Sequence, residues 1–330
     1  MMDTQAVTTI ETPKKSIRLR EIVSNNLLLI MLVILAVAAH LLSHEAFLTP
    51  RNIINVLAQN SVLGVLAVGQ TLIILTAGID LSLGSITALT AVMMLTFQGF
   101  GFFPSLLIGV GVGALAGMVN GMLVSWGRVP PFIATLGMMQ VAMGLAYVVS
   151  QGFSIDDHHH VGLLFGQDRL FNLIPSVVIV WAVVALVALF IARRMRYGSY
   201  IYAIGGNQRA ARIGGVPINR VLIFVYAFAG VCAAIGAMLY INRYGNAEPS
   251  IGSITSLSMS MAPVVVGGTS LFGGSGGVGK TIIGVLILGV LTNIMTLIGV
   301  PANPQAAVQG AIILIVVFMF VRQERLRKIR

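Results

Sequence analysis

The chain has 330 residues, of which 57% are hydrophobic and 9% charged, with a mean hydropathy of +0.96 and a net charge of +10. A soluble domain carries about 25% charged residues, so this composition excludes a water-exposed globular surface and assigns most of the chain to lipid or to other helices. The excess of cations does not indicate nucleic acid, because the basic residues cluster where membrane topology needs them.

In chain order, residues 1–24 are polar and carry Lys14, Lys15, Arg18 and Arg20. They lack the short apolar core and cleavage site of a signal peptide, and are expected to form a cytoplasmic tail. The body, 25–321, is expected to be all-α, a polytopic membrane protein with about ten transmembrane helices, each needing about 20 apolar residues. The first is expected at 26–43, followed by an outer loop with Glu45 and Arg51. The second is expected at 53–75 and the third at 81–97.

Between these two lies Thr76-Ala-Gly-Ile-Asp80-Leu-Ser-Leu-Gly-Ser85, a polar interruption of an otherwise apolar tract. A carboxylate in hydrocarbon is costly, so Asp80 must face a cavity, a partner helix or the membrane surface. The glycines loosen the helix, and Ser82 and Ser85 can satisfy freed backbone groups. Two readings stand side by side: a short loop with a capping Asp, and a polar break at the edge of a transport path.

The fourth span, 105–126, has glycines at 109, 113, 117 and 121, a four-residue spacing that permits close helix approach. Arg128 and Pro130-Pro131 mark a cytoplasmic turn before the fifth span, 132–150. The polar stretch 151–173 holds Asp156, Asp157, His158-His159-His160, Asp168 and Arg169 and is expected to be an outer loop. Three adjacent histidines rarely converge on one ion, and no metal site is assigned to them.

After the sixth span, 174–192, residues 193–220 contain six arginines and no acid, the strongest cytoplasmic signal in the chain. The seventh span is expected at 221–241. Cys232 lies within it and is the only cysteine, so no internal disulfide is available. Then follow a marginal eighth span at 257–267, a Gly/Ser-rich turn at 267–279, spans at 281–300 and 306–321, and a basic tail, 322–330. Both termini fall on one side. Of the twenty Lys and Arg, all but Arg51, Arg169 and Arg243 fall on that side too. The Asp80 break and the 267–279 turn are the two places where a segment could be re-entrant. They form a faint internal echo, of the kind that marks a binding region in transporters.

Gly274-Ser-Gly-Gly-Val-Gly279-Lys280-Thr281 matches the phosphate-loop pattern, yet such a loop must follow a β-strand in an α/β domain. No alternating βα pattern surrounds it, so a tight inter-helix turn is the expected role.

Three stretches carry a resemblance. Leu75-Thr-Ala-Gly-Ile-Asp80-Leu-Ser-Leu-Gly-Ser85, Tyr202-Ala-Ile-Gly-Gly-Asn207-Gln-Arg-Ala-Ala-Arg-Ile-Gly-Gly215 and Val266-Gly-Gly-Thr-Ser-Leu-Phe-Gly-Gly274 together resemble signatures of monosaccharide ABC-importer permeases of the ribose/xylose/galactose type, over roughly residues 50–320. The resemblance implies cytoplasmic ABC ATPase subunits, a periplasmic sugar-binding protein and a second permease copy or homologue as partners, in the inner membrane. It implies that Gly205, Gly206, Asn207, Arg209, Ala210, Ala211, Arg212, Gly214 and Gly215 belong to an ATPase-coupling loop. From the residues, Asn207 can cap a short helix and Gly214-Gly215 can end it; the plainer reading is a basic loop resting on anionic lipid. Relatives carry acidic residues about ten positions before Gly-Gly-Thr-Ser, whereas Thr255-Ser-Leu-Ser-Met-Ser-Met-Ala262 has none.

Gln70, Asp80, Ser82, Asn120, Gln140 and Asn293 are the candidate pathway residues, neutral hydrogen-bonding groups for the most part, as a hydroxylated sugar requires. For the neutral five, a helix–helix hydrogen bond is an equally open role. No catalytic residue, cofactor or metal is expected. The alternative is an ion- or proton-coupled secondary transporter with Asp80 as the coupling carboxylate; a membrane-embedded NTPase would rest on the Lys280 motif alone.

Overall fold

The computed structural model describes residues 26–43, 46–161, 169–170, 174–252 and 254–328. The expected tail 1–24, Glu45 and Asp168 lie outside the described residues, as do the side chains of 255–259 and 322–330.

Among the described residues the architecture is a helical bundle with four strands of two residues each. Helix α1 is Leu27–Leu42, α2 Pro50–Gln59, α3 Ser61–Leu75 and α4 Leu83–Thr96. Helices α5, Phe102–Ser125, and α6, Pro131–Ser150, follow. Helix α7 is Ser176–Arg194, and between it and α10 stand α8, Arg196–Gly206, and α9, Gln208–Ile213. The long α10 is Ile218–Tyr244; α11 is Ile254–Val266, α12 Val278–Leu297 and α13 Ala302–Lys328.

Local chemistry sets these boundaries. Thr49 caps α2 by accepting from the Asn52 amide, with Pro50 at the first helical position. Pro131 opens α6 in the same way, and Gly245 ends α10 at φ +71°.

Helices α3 and α4 form the centre. Every residue from Gly64 to Thr76 and from Leu83 to Val92 is buried, which their all-round apolar composition allows. The hydroxyls of Thr71, Thr87 and Thr90 turn back onto carbonyls four residues earlier, so none is stranded. Helix α10 packs on both and lies antiparallel to α5 along the glycine seam. A Cβ on Gly113 would strike the Gly230 carbonyl, one on Gly230 the Gly113 carbonyl, and one on Gly117 the Tyr226 carbonyl. The four-residue glycine spacing therefore buys backbone contact between two membrane helices. Helices α1, α6 and α7 turn Val33, Ile34, Val37, Ile133, Val148, Leu186 and Phe190 outward, as a lipid-facing wall does.

Among the described residues, five helices are long and apolar enough to cross a membrane alone: α5, α6, α7, α10 and α12. The expected single span at 53–75 is instead α2 and α3, bent by 45° at Asn60, and counted together they make six. The expectation of about ten spans goes further than these lengths. Helix α4 has 14 residues and α11 has 13. At 1.5 Å per residue each reaches about 20 Å, short of a hydrocarbon core of about 30 Å.

Strand Ile155–Asp156 pairs antiparallel with Asn246–Ala247, joining the segment after α6 to the one after α10. The three histidines sit on this segment in a turn. The His159 amide donates to Gln98 Oε1, and His160 has φ +53°. Among the described residues, no group of three or more His, Cys, Asp or Glu is placed to share a metal ion.

Candidate functional site

The apolar helices are interrupted twice, and the two interruptions meet. In the first, α3 unwinds after Leu75. The Thr76 hydroxyl and the Gly78 amide both donate to the Ile73 carbonyl, and Ala77 takes φ +61°. Asp80 then folds onto α4: its Oδ1 accepts from the Ser82 amide at 2.7 Å and the Ser82 hydroxyl at 2.6 Å. Ser82 Oγ in turn accepts from Asn120 Nδ2 of α5 at 2.9 Å. This chain of three residues fixes the entry of α4, and Asp80 is 1% exposed. Asp80 Oδ2, Asn120 Oδ1 and the Tyr226 hydroxyl are buried with no hydrogen-bond partner.

The second interruption, between α11 and α12, is held by backbone. The Gly267, Gly268 and Thr269 amides donate to Pro263, Val265 and Val264 carbonyls, and Ser270 donates to the Ser275 carbonyl. Gly268, Gly273, Gly274, Gly276 and Gly277 all have positive φ, which glycine alone adopts without strain. A helix, not a strand, precedes the Gly274–Thr281 motif. The space a phosphate would need is filled: a Cβ on Gly276 would lie 2.5 Å from Thr269 Cα, and one on Gly277 would lie 2.8 Å from the Tyr202 hydroxyl.

The α8–α9 corner closes the arrangement. The Gly274 amide donates to the Leu75 carbonyl at 3.0 Å, tying the two interruptions together. Gly205, at the end of α8, lies so close that a Cβ there would collide with the Leu75 carbonyl and sit 2.5 Å from the Gly274 nitrogen. Tyr202 of α8 donates to the Gly276 carbonyl at 3.1 Å. Burial pushes the Tyr202 hydroxyl above its usual pKa, against the pull of Arg193, which keeps it a donor. Thus the three stretches around 75–85, 202–215 and 266–274 share one junction, made almost wholly of backbone.

Beyond the junction, Asn207 Oδ1 caps α9 by accepting from the Ala210 amide at 3.0 Å. Gly214 and Gly215 end it, the latter at φ +78°. Ala211 is buried and anchors the turn, while Arg209, Ala210 and Arg212 face outward. Ile213, which the sequence reading passed over, is 90% exposed at the tip. Its only signal was an isolated large apolar residue among polar loop neighbours.

Of the six polar candidates, the structure joins Asp80, Ser82 and Asn120. Gln70 is buried in α3 with both amide atoms unpartnered. Asn293 exchanges two hydrogen bonds with Asn52, at 2.9 and 3.0 Å, which makes it half of an α2–α12 amide clasp. Gln140 faces outward on α6.

A family model for the permease component of branched-chain amino acid transport systems matches residues 52–317. The ribose import permease protein of Escherichia coli K12 is 37% identical over 298 residues, 88% of this chain and 92% of that protein. The fructose import permease protein of Rhizobium meliloti is 35% identical over 300 residues, 88% and 83% of the two chains. The D-allose transport system permease protein of Escherichia coli K12 is 36% identical over 276 residues, 83% and 84%. No solved structure matches the chain.

Proposed function

Because the chain belongs to the branched-chain amino acid transport system permease family, among its monosaccharide ABC-importer permeases, we propose that it moves a monosaccharide or related polyol inward by ATP-driven alternating access. It is a multi-pass inner-membrane transport subunit and not an enzyme. In this reading both termini are cytoplasmic, a second permease copy or homologue completes the path, and a periplasmic sugar-binding protein delivers the substrate. Separate ATPase subunits dock on α9, where Ile213 supplies an apolar knob and Arg209 and Arg212 a cationic rim. The observation that carries the reading is the Leu75–Gly205–Gly274 junction. A rigid-body shift of α8 and α9 has no slack at a backbone-to-backbone contact, so it must be passed to both membrane interruptions.

The unpartnered Oδ2 of Asp80 favours a second reading, in which that carboxylate binds a coupling ion or proton. One experiment separates the two. Wild-type protein and Ile213→Asp are reconstituted with the ATPase and binding protein, and ATP and the ion gradient are varied independently. Uptake is expected to follow ATP, to ignore collapse of the gradient, and to fall at least tenfold in Ile213→Asp as docking weakens, about the effect of losing one interface anchor. Gradient-driven accumulation without any ATPase would establish the second reading instead.

A further inference from the structure

A cavity of about 680 Å³ opens where the turn after α5 meets the start of α10. Arg128 reaches it from the turn, Arg212 from the end of α9 and Arg220 from the first turn of α10. No carboxylate lines it, and among the described residues none of these three guanidinium groups has an ion-pair or hydrogen-bond partner. Three arginines lining one open space gather positive charge there, which an anion between them would offset. The cavity also holds a stranded neutral donor, for the Ser125 hydroxyl on its wall is buried and unpartnered.

The turn itself is bent to serve this geometry. Arg128 has φ +53°, a left-handed conformation that glycine tolerates and an arginine does not adopt freely. The Val129 amide closes the turn on the Leu123 carbonyl at 3.0 Å, holding the Arg128 backbone there. Strain retained on a charged side chain, when glycine would relieve it, indicates that the side chain has a task.

The ligand's other half is written on α5. Trp126, at the cavity's edge, is 63% exposed, and Leu115, Val119 and Leu123 run from it along the helix as an exposed apolar stripe. An indole at a helix end beside such a stripe marks the membrane–water boundary. A basic pocket at that level, open on one side to an acyl-chain track, has the form of a headgroup site. We infer that this cavity binds the phosphate headgroup of an anionic phospholipid, with its acyl chain along Leu115, Val119 and Leu123. The bound phosphate would then bridge Arg128 of the α5–α6 turn to Arg212 of α9, bracing the α9 corner from the lipid side. The inference needs only the membrane location; it shares Arg212 with the ATPase-docking reading, and its test therefore rests on Arg128 and Arg220.

The test is native mass spectrometry of the full-length protein, titrated with phosphatidylglycerol, phosphatidylcholine or inorganic phosphate. One tightly held phosphatidylglycerol is expected per chain, not displaced by phosphatidylcholine. Arg128→Gln and Arg220→Gln should each weaken it roughly fivefold, and Arg128→Lys should restore most of the loss. Thermal unfolding in phosphatidylcholine shows whether each variant is folded, and either substitution alone suffices. Equal phosphatidylglycerol binding by wild type and both Gln variants would overturn the site. Inorganic phosphate binding as tightly as the lipid would overturn the lipid assignment in favour of a free anion. Release of the lipid only when an ATPase subunit docks would assign the arginines to an acidic protein surface and equally overturn it.

Discussion

The two interruptions of the apolar helices solve one problem in opposite ways. Between α3 and α4, backbone bonds to Ile73 and Ile74 close the turn and side chains hold its exit, with Asp80 accepting from Ser82 and Ser82 accepting from Asn120. Between α11 and α12 backbone bonds predominate, through turns that need five glycines at positive φ, with Thr269 and Tyr202 adding one side-chain bond each. The first buries Thr76, Gly78, Asp80 and Ser82 and exposes only Ala77; the second reaches outward at Phe272, which is 60% exposed. Broken helices are tolerated at membrane depth only where the freed groups find partners, and the contrast shows that the partner can be chosen by polarity or by absence of volume. The first interruption should therefore respond to a lost hydrogen-bonding group, and the second, with its Gly205 contact, to any added carbon.

The largest effect is expected where volume is forbidden. Gly205→Ala drives a Cβ into the Leu75 carbonyl, a backbone atom that cannot rotate away. Overpacking of this kind costs roughly 1–3 kcal/mol, occasionally more. Gly206→Ala is the matched control, because nothing lies within 4 Å of its added carbon. Thermal unfolding of the purified protein should show a clear drop in Tm for Gly205→Ala, with Gly206→Ala near wild type, within about 0.5 kcal/mol. Equal Tm values would mean that the junction is loose.

A smaller effect is expected where polarity is the determinant. Asp80→Ala removes the acceptor for the Ser82 amide and hydroxyl and strands a buried donor, costing about 1–3 kcal/mol. Asp80→Asn keeps an acceptor at Oδ1 for both Ser82 donors, and should cost less than Asp80→Ala. Stability should rank wild type, Asn, Ala, and ATP-driven uptake should persist in Asn. Abolished uptake in a stably folded Asp80→Asn protein would mean that the charge itself is needed, which the hydrogen-bond geometry does not require.

Much of this arrangement was legible in the sequence because it is local. Apolar tracts marked the helices α1 and α3–α7 and α10–α13, and the spacing of Gly109, Gly113, Gly117 and Gly121 marked a close-approach face, now seen against α10. Asp80, Ser82 and Asn120 were candidates because polar residues in such tracts are conspicuous. The Leu75–Gly205–Gly274 junction left no such mark: it joins backbone atoms of segments far apart in sequence, and glycine motifs do not name their partners. For Asn293 a helix–helix hydrogen bond and a substrate contact stood equally open, because its partner, Asn52, is 241 residues away and the sequence does not name it. The bend at Asn60 was hidden because an apolar tract records composition and not direction. The expected count of about ten spans goes beyond the five or six that length and composition support among the described residues, because hydropathy alone does not separate a 14-residue helix wrapped by others, such as α4, from a full crossing.

The smallest effect is expected at the residue whose motif looks most informative. Lys280 ends a run that reads as a phosphate loop, in which glycine amides cradle phosphates and the lysine reaches over them. Each part is otherwise engaged. The Gly277 amide donates to Thr269 Oγ1 at 3.2 Å, and the Gly276 carbonyl accepts from Tyr202. The Thr281 hydroxyl, which would have to meet a metal ion, is buried against Thr71 at 2.8 Å. Lys280 points outward from the first turn of α12, a long apolar helix, where an ammonium sits comfortably at head-group level. To bind a nucleotide, this turn would have to give up the contacts that hold the second interruption closed. Lys280→Ala is therefore expected to leave nucleotide binding by the assembled complex unchanged and unfolding stability within about 0.5 kcal/mol of wild type, as read by a fluorescent ATP analogue and thermal unfolding. A large loss of analogue binding to the isolated chain would show that the turn opens, and that the second interruption is held far less firmly than its backbone hydrogen bonds require.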